Sequence, residues 1–404
     1  MNGGKIRNLR PRAEGEADSG LALVAQHRGL VLAGLAAGTV ALLFLTSAVS
    51  RVYRAHVERL AREWSARGEV AVRAHRPEDA VEAFENAQHY ARHDPRGRMR
   101  LAEALLLAGR GEEARSHLLA LWARAPGDGR VNLELARLAA ADGRAAEAAR
   151  YFDAAVHGSW EVAADLARRR ARQELIALYL SRNALPQAEA QLIALAPDLP
   201  RDAESRTELG EDLLKTGSAR RALEAFEAAL ASEPRHVRAA AGAGMAAFRL
   251  GDYSAARRHL RSAVQKRPDD PATGRALATT DLVLTMDPLL PRLRAAERAR
   301  RLGLAWRTAW ARVQACAASQ GVALAADPQG PLLEGASMLL HAHRQLAALE
   351  PQITPGVLRR DPERIDSVMD AVLAAARASQ DCGPLQPADE ALLLIGRRHA
   401  ADEP

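Results

Sequence analysis

Aromatic residues are scarce in this sequence, and their scarcity narrows the fold classes open to it. They make up 4% of the 404 residues, although hydrophobic residues make up 48%. Alanine and leucine carry most of that apolar content, and both are strong helix formers. Period-2 runs of Val, Ile, Thr and Tyr, which are typical of strands, are missing. The composition therefore predicts an all-α chain, built as several domains or as a repeat array because it is too long for one ordinary core.

Cysteine is also scarce. The chain has Cys316 and Cys382 and no C-x-x-C pair, so we expect no zinc site built on cysteine ligands. Histidine pairs at helical spacing lack a third ligand, and we expect no metal and no cofactor. Both cysteines lie in the C-terminal part of the chain, which favours a disulfide that closes this part outside the cytoplasm. The alternative is two unrelated buried thiols, which behave as small apolar residues.

A dense run of one charge sign is missing as well. The 56 basic and 50 acidic residues give a net charge of +6, and the two signs are interleaved along nearly every helix, as on a solvated surface. No basic stripe with interleaved aromatics occurs, so we expect no nucleic-acid partner. Carboxylates are plentiful, but none is placed against an identifiable base. We therefore predict that the protein is not an enzyme, with a catalytic site hidden in the C-terminal part as the alternative.

One long hydrophobic run is present near the N-terminus. Residues 29–49 contain no charged residue, and 21 helical residues span about 30 Å, the thickness of a hydrocarbon core. We predict a cytoplasmic tail over residues 1–28 and an uncleaved transmembrane helix over residues 29–49. The alternative is a cleaved signal peptide with Ala48 before the cut. Basic residues are equally frequent on both sides of the run, but a short basic tail before a long domain suits a signal anchor. We therefore expect a single-pass protein of the cytoplasmic (inner) membrane with an extracytoplasmic C-terminal domain.

Small residues within this run predict helix packing in the membrane. Gly34 and Gly38 form a small-x-x-x-small pair, which lets two transmembrane helices approach closely. Such a face would allow a homodimer. The alternative is that alanine-rich spans contain the pattern by chance.

Past this run the chain is periodic. A small residue recurs at intervals of 34, 34, 40, 34 and 34 residues, at Ala80, Ala114, Ala148, Ala188, Ala222 and Ala256. A large apolar residue follows each by four positions, at Phe84, Leu118, Phe152, Leu192, Phe226 and Leu260. A residue that tolerates positive φ precedes most of them by five positions, at Gly109, Gly143, Asn183, Gly217 and Gly251. Proline ends four copies, at Pro126, Pro200, Pro234 and Pro268.

With these positions, about half of the chain, residues 61–286, resembles the tetratricopeptide repeat family, whose period is 34 residues. The stretch RALEAFEAALASEP of the fifth copy shows the pattern. The resemblance implies a right-handed α-solenoid of hairpins, each made of a helix A and a helix B that cross closely at the small residues. We expect about six repeats and a capping helix over residues 50–287. A small helical module should follow over residues 288–404, with helices at 289–320, 331–350, 361–380 and 387–399.

The resemblance also implies a concave groove lined by positions 2, 5, 6, 9, 12 and 13 of each helix A. In the first three copies these positions carry the arginines Arg62, Arg73, Arg96, Arg100, Arg130 and Arg137. Guanidinium groups bind carboxylates in bidentate fashion, so we expect acidic segments of partner proteins there. The alternative is that the arginines only solvate the groove or pair with Glu69, Glu103 and Glu134. In the fifth copy these positions are acidic instead, with Glu204, Glu208 and Glu211.

The architecture therefore predicts a membrane-tethered scaffold for protein–protein interaction, acting as an adaptor or as an assembly or chaperone-like factor of the cell envelope. This placement is an analogy with anchored bacterial tetratricopeptide proteins, because no residue specifies it. The alternative is a cytoplasm-facing accessory subunit that recruits a soluble enzyme to the membrane. In the C-terminal module, Trp306 and Trp310 share one helix face and are interpreted as core packing, with ligand stacking as the alternative.

Overall fold

The computed structural model describes residues 15–322, 324, 338–361 and 363–402. Within these ranges the regular structure is helical and no strand occurs, which confirms the all-α prediction. Residues 1–14 of the predicted tail and residues 331–337 of a predicted helix lie outside the described residues. The chain divides into two compact units between Arg168 and Arg169.

The first unit consists of three consecutive helical hairpins. Its helices are α1 (Gly15–Arg73), α2 (Pro77–Tyr90), α3 (Pro95–Leu107), α4 (Gly111–Trp122), α5 (Gly129–Ala141) and α6 (Ala145–His157). Helix α1 packs on α2, α3 on α4 and α5 on α6, and each hairpin contacts the next. The predicted boundaries after residues 28 and 49 both fall inside α1, so the uncharged run and helix A of the first hairpin form one continuous helix.

The second unit continues the hairpins and ends in the C-terminal module. The hairpin helices are α7 (Ala164–Ser181), in which the division between the units falls, α8 (Leu185–Leu195), α9 (Ala203–Lys215), α10 (Ala219–Ser232), α11 (Val237–Arg249) and α12 (Tyr253–Lys266). The remaining helices are α13 (Pro271–Met286), α14 (Ala295–Gln320), α15 (Met338–Leu349), α16 (Pro355–Arg360), α17 (Arg364–Ala378) and α18 (Pro387–Asp402). Single 3₁₀ turns follow α8 at Ala196–Asp198 and α15 at Glu350–Gln352.

The turn inside each hairpin has the left-handed backbone that the sequence predicts. All five predicted turn residues have positive φ, at Gly109, Gly143, Asn183, Gly217 and Gly251. The first hairpin uses His75, with φ of 54°, at the equivalent position, where the sequence has no glycine or asparagine. A left-handed residue ends helix A and lets the chain reverse into helix B, so the six turns confirm the hairpin register.

Aromatic rings fill the close crossings between helices. Phe226 of α10 is fully buried, and its ring lies against the backbone of Gly210 in α9 and of Gly242 in α11. A Cβ atom added at these glycines would lie 2.7 Å and 2.3 Å from ring carbons of Phe226. Phe84 packs against Gly68 in the same way in the first hairpin. Large residues of helix B therefore pack against glycines of helix A, and for Phe226 also against a glycine of the next hairpin.

The interval of 40 residues between Ala148 and Ala188 has six residues more than the other intervals. These residues are divided between a longer helix and an irregular segment. Helix α7 has 18 residues, but residues 158–163 form an irregular segment that folds back on the turn before α5. Ser159 exchanges backbone hydrogen bonds with Gly127 and Gly129, each at 2.8 Å. The Trp160 indole covers Gly129 and donates to the carbonyl of Ala155 at 3.0 Å.

The C-terminal module differs from the prediction at two points. The first helix, α14, begins at Ala295 rather than at residue 289, because Arg292 has a left-handed backbone, with φ of 65°, that is incompatible with a right-handed helix. Helix α16 was not predicted. The module is joined to the end of α13 through Asp287, whose fully buried carboxylate accepts a hydrogen bond from the Leu289 amide at 2.9 Å. The same carboxylate lies 3.3 Å from the Arg398 guanidinium of α18.

Candidate functional site

An open groove of about 600 Å³ lies on the helix A side of the first unit. Helices α1, α3 and α5 line it with four of the six predicted arginines, Arg73, Arg100, Arg130 and Arg137. Each of these helices is a helix A, so the hairpin register turns the same positions of successive copies toward one surface. The groove is therefore built by the repeat itself.

Three of the groove arginines are paired with glutamates. The Arg100 guanidinium lies 2.7 Å from the Glu69 carboxylate. Arg130 donates from Nε to Glu103 at 2.8 Å, and Arg137 lies 2.7 Å from Glu134. These are the three glutamates that the sequence offers as alternative partners. The pairs leave the groove with alternating charges rather than with a continuous basic surface.

Arg73 differs from these three arginines. Its side chain is exposed, and it forms no ion pair within the described part of the chain. Apolar side chains lie near it in the same groove, and Leu107 of α3 has 62% of its surface exposed. Leu106 and Val72 are half-buried beside it. An unpaired guanidinium next to exposed leucine can bind a carboxylate and an apolar side chain of the same ligand.

Arg62 and Arg96, the two remaining predicted arginines, are not among the residues that line this groove. The Arg96 guanidinium lies 3.4 Å from Glu161 of the irregular segment, and both side chains are 76% exposed. Arg62 donates from Nε to the backbone carbonyl of Glu58 at 3.2 Å on the exposed side of α1. The exposed Arg96–Glu161 ion pair contributes little to stability, about 0–1 kcal/mol.

Two of the three acidic positions of the fifth copy, Glu204 and Glu211, are also paired. Arg238 of α11 hydrogen-bonds to Glu204 and, at 2.8 Å, to Glu211, both on α9. The hydrogen bonds from Arg238 and then from His236 hold the pKa of Glu204 below its usual range. A smaller cavity of about 290 Å³ adjoins Arg238, with Met245 and Gly242 in its wall. The next hairpin thus neutralises two of the three acidic residues that the sequence places in this copy.

One ion pair recurs between neighbouring hairpins. Arg130 pairs with Glu103 and Arg238 pairs with Glu211, each across 27 residues of sequence. Both pairs join position 2 of one copy to position 9 of the copy before it. This ion pair could have been found in the sequence, because the arginine always follows the glutamate by 27 residues. The two pairs join adjacent hairpins and help to hold them in register.

Cys316 and Cys382, the two cysteines, lie together in the second unit. Their Cα atoms are 5.2 Å apart and the structure joins their sulfurs as a disulfide, a separation within the range of known disulfides. Gly34 and Gly38 of α1 are exposed, and nothing lies within 4 Å of a Cβ added at either one. Their surface is therefore open to another helix.

The tryptophan pair of the C-terminal module belongs to its core. Trp306 is 7% exposed and donates from Nε1 to the carbonyl of Leu346 at 2.9 Å. Trp310 stacks on Trp306 and on His343, with ring centroids 5.3 Å and 4.4 Å apart. Burial, together with the neighbouring Arg344, lowers the pKa of His343. No group of three metal-ligating side chains occurs among the described residues.

Two models of the tetratricopeptide repeat match the sequence, over residues 71–138 and 207–271. Together with the hairpins, these matches decide the family. The chain is a tetratricopeptide-repeat protein. Repeats of this family bind other proteins, and the protein is accordingly an interaction scaffold. None of the curated proteins compared with it matches.

Solved structures of other tetratricopeptide-repeat proteins resemble parts of this one. YrrB, described as having an unusual peptide-binding site, shares 20% identity over 49% of this chain and 98% of its own, with a TM-score of 0.40. PilF of Pseudomonas aeruginosa shares 14% identity over 54% of this chain and 97% of its own, with a TM-score of 0.38. PilW, a type IV pilus biogenesis factor, shares 16% identity over 54% of this chain and 98% of its own, with a TM-score of 0.37.

Proposed function

We propose that this tetratricopeptide-repeat protein is a membrane-tethered, non-enzymatic scaffold that binds a segment of a partner protein in the groove of its first unit. The observation that carries the proposal is Arg73, which is exposed and has no ion pair among the described residues, in an open groove that the exposed Leu107 also lines. A segment that combines a carboxylate with an apolar side chain fits both groups. Arg100, Arg130 and Arg137 keep their glutamate partners and shape the groove.

The apolar part of α1 supports the tether. It contains an 18-residue window with a mean hydropathy of 2.0, and no residue of that window is buried in the protein. Leucines and a phenylalanine exposed on all sides of a helix are stable in lipid rather than in water. We place residues 29–49 in the inner membrane of the cell envelope and the hairpins on its extracytoplasmic side, as a signal anchor would.

Arg73→Glu is the variant that tests the groove. The substitution puts a negative charge where the partner's carboxylate binds, so we expect the crosslinked yield of partner from cells to fall at least tenfold. Arg73 has no ion pair to lose in the part of the chain that the structure describes, so helicity by circular dichroism should stay unchanged. Arg150, exposed on α6, is the matched control position. Equal loss of partner in Arg150→Glu would show that net charge, and not the groove, governs capture.

Gly34→Ile tests the homodimer that the small residues of α1 favour. A β-branched side chain at this open face keeps two helices apart, so self-association in a bilayer should weaken at least fivefold. Gly34→Ala preserves a small face and should associate as the unmodified protein does. Energy transfer between labelled chains in vesicles measures the association. A fragment without residues 1–49 lacks this helix face and should not self-associate through it. Equal self-association of the full-length chain and of this fragment would contradict a transmembrane dimer.

A further inference from the structure

The helix that carries the uncharged run reaches the groove without a break. Helix α1 extends from Gly15 to Arg73, and between Val49 and Gly68 it contains neither proline nor glycine. Sharp helix kinks arise almost always at proline, at glycine–serine pairs, at π-bulges or where a group inserts into the hydrogen-bond ladder. None of these occurs in residues 50–67, so this stretch has no hinge.

Helix α1 supports this stretch with its own side chains. Arg51 and Arg54 donate to backbone carbonyls one turn earlier, at 3.3 Å and 3.2 Å. Arg59 and Glu63 form an i,i+4 ion pair at 3.9 Å, an arrangement that favours an isolated helix by about 0.2–0.5 kcal/mol. Residues 32–56 are exposed throughout, and burial against the first hairpin begins at Val57. We call residues 50–68 the spacer: residues 50–56 are free-standing, and from Val57 onward the same helix packs into the first hairpin.

The spacer fixes a distance. Val49, the last residue of the uncharged run, and Glu69, the first groove residue on α1, are 20 positions apart in sequence. At 1.5 Å per residue they span about 30 Å. A tilt of about 20°, typical of transmembrane helices, shortens the height of this spacer by only about 2 Å. Because Glu69 and Arg73 belong to α1 itself, the groove wall has the same rigid connection to the membrane.

We infer that α1 is a molecular ruler, which holds the groove about 30 Å from the membrane so that it binds a segment of a second protein embedded in the same membrane. The inference rests on the proposed tether and groove. A rigid spacer raises the effective concentration of a ligand only when the ligand is held at the same height, as the membrane-proximal segment of an integral membrane protein is. A flexible linker would serve a soluble ligand equally well.

Two insertions between Ala55 and His56 of the full-length chain test the ruler. Seven helix-forming residues lengthen α1 by about 10 Å and turn the groove by only about 20°. Seven glycine and serine residues add the same length of chain without rigidity. With a photo-reactive amino acid in the groove at position 107, the unmodified spacer should crosslink to an integral membrane protein. The helical insertion should reduce that yield at least tenfold, and the flexible insertion should reduce it less.

Equal yields of the same product from the unmodified chain and from the helical insertion would overturn the ruler. A crosslinked partner that a carbonate wash releases from membranes would overturn the embedded partner. An independent measurement uses a donor fluorophore at position 107 and acceptor-labelled headgroups in phosphatidylcholine–phosphatidylglycerol vesicles. The helical insertion should move the donor about 10 Å away from the bilayer, and an unchanged distance again contradicts the ruler. Failure of the tether is distinguishable, because carbonate would then release the unmodified chain itself.

Discussion

Phe226→Ala is expected to destabilise the second unit by about 3–5 kcal/mol, the range for removing a fully buried phenylalanine side chain. The ring is 0% exposed and lies between Gly210 and Gly242. Neither glycine has a side chain that can move into the vacated volume, so the cavity should remain and the cost should lie near the top of the range. Chemical denaturation measures the loss. Hydrogen exchange should show it first in α9, α10 and α11, because each repeat contacts only its neighbours.

Gly242→Ala provides a second-site test of the same packing. In the unmodified protein the added Cβ would lie 2.3 Å from the Phe226 ring, so overpacking should destabilise by about 1–3 kcal/mol. In the Phe226→Ala background that space is empty, and alanine is favoured over glycine inside a helix by about 1 kcal/mol. Gly242→Ala should therefore change sign, from destabilising to stabilising. Additive effects of the two substitutions would contradict the proposed contact.

The hairpins could be predicted because each one depends on local geometry. A small residue where helices cross, a large residue four positions later and a left-handed turn residue five positions before are readable at fixed spacing. Ala222 and Phe226 are an example, since the period alone places both on helix B of the fifth copy, and both are fully buried. His75 was missed for the converse reason. It takes the left-handed backbone without being glycine or asparagine, and the surrounding hairpin, rather than the residue type, fixes its conformation.

The continuity of α1 could not be predicted from the same signals. Charge and hydropathy change sharply at Val49, but a change of polarity need not end a helix. Arg51, Arg54 and Ala55 are good helix formers, and no proline or glycine follows before Gly68, so the backbone continues. The groove arginines were identified by their repeat positions, yet only the structure shows which of them are paired. Arg73 and Arg100 both lie in the groove, and a carboxylate partner is present for Arg100 alone.

Two interactions in the C-terminal module join helix α14 to the segment that follows α17. The Arg312 guanidinium of α14, 11% exposed, donates to the carbonyls of Ser379 and Gly383 just past the end of α17, at 3.2 Å and 3.0 Å. Cys316, one turn further along α14, is joined to Cys382 in that same segment. Hydrogen bonds from Arg312 position the segment, and the disulfide prevents it from separating when those bonds open.

Reduction of the disulfide is therefore expected to lower the free energy of unfolding of the module. The bridged residues are 66 apart in sequence, and the chain-entropy model assigns about 4 kcal/mol to closing a loop of that size. The midpoint temperature of thermal unfolding of the second unit should fall when a reductant is added. The Cys316→Ser, Cys382→Ser double variant should begin at the lower midpoint and not respond to reductant. A response of that variant, or none in the unmodified chain, would contradict the bridge.

The same cysteines test the side of the membrane on which the module lies. A disulfide persists in an oxidising compartment, whereas cytoplasmic thiols are kept reduced. With a membrane-impermeant thiol reagent on intact cells, we expect no labelling at first and labelling after an impermeant reductant is added. Cys382 should react first, because it is only half-buried whereas Cys316 is 1% exposed. Labelling that requires cell lysis but no reductant would place the module in the cytoplasm, and the hairpins would then serve a cytoplasmic partner.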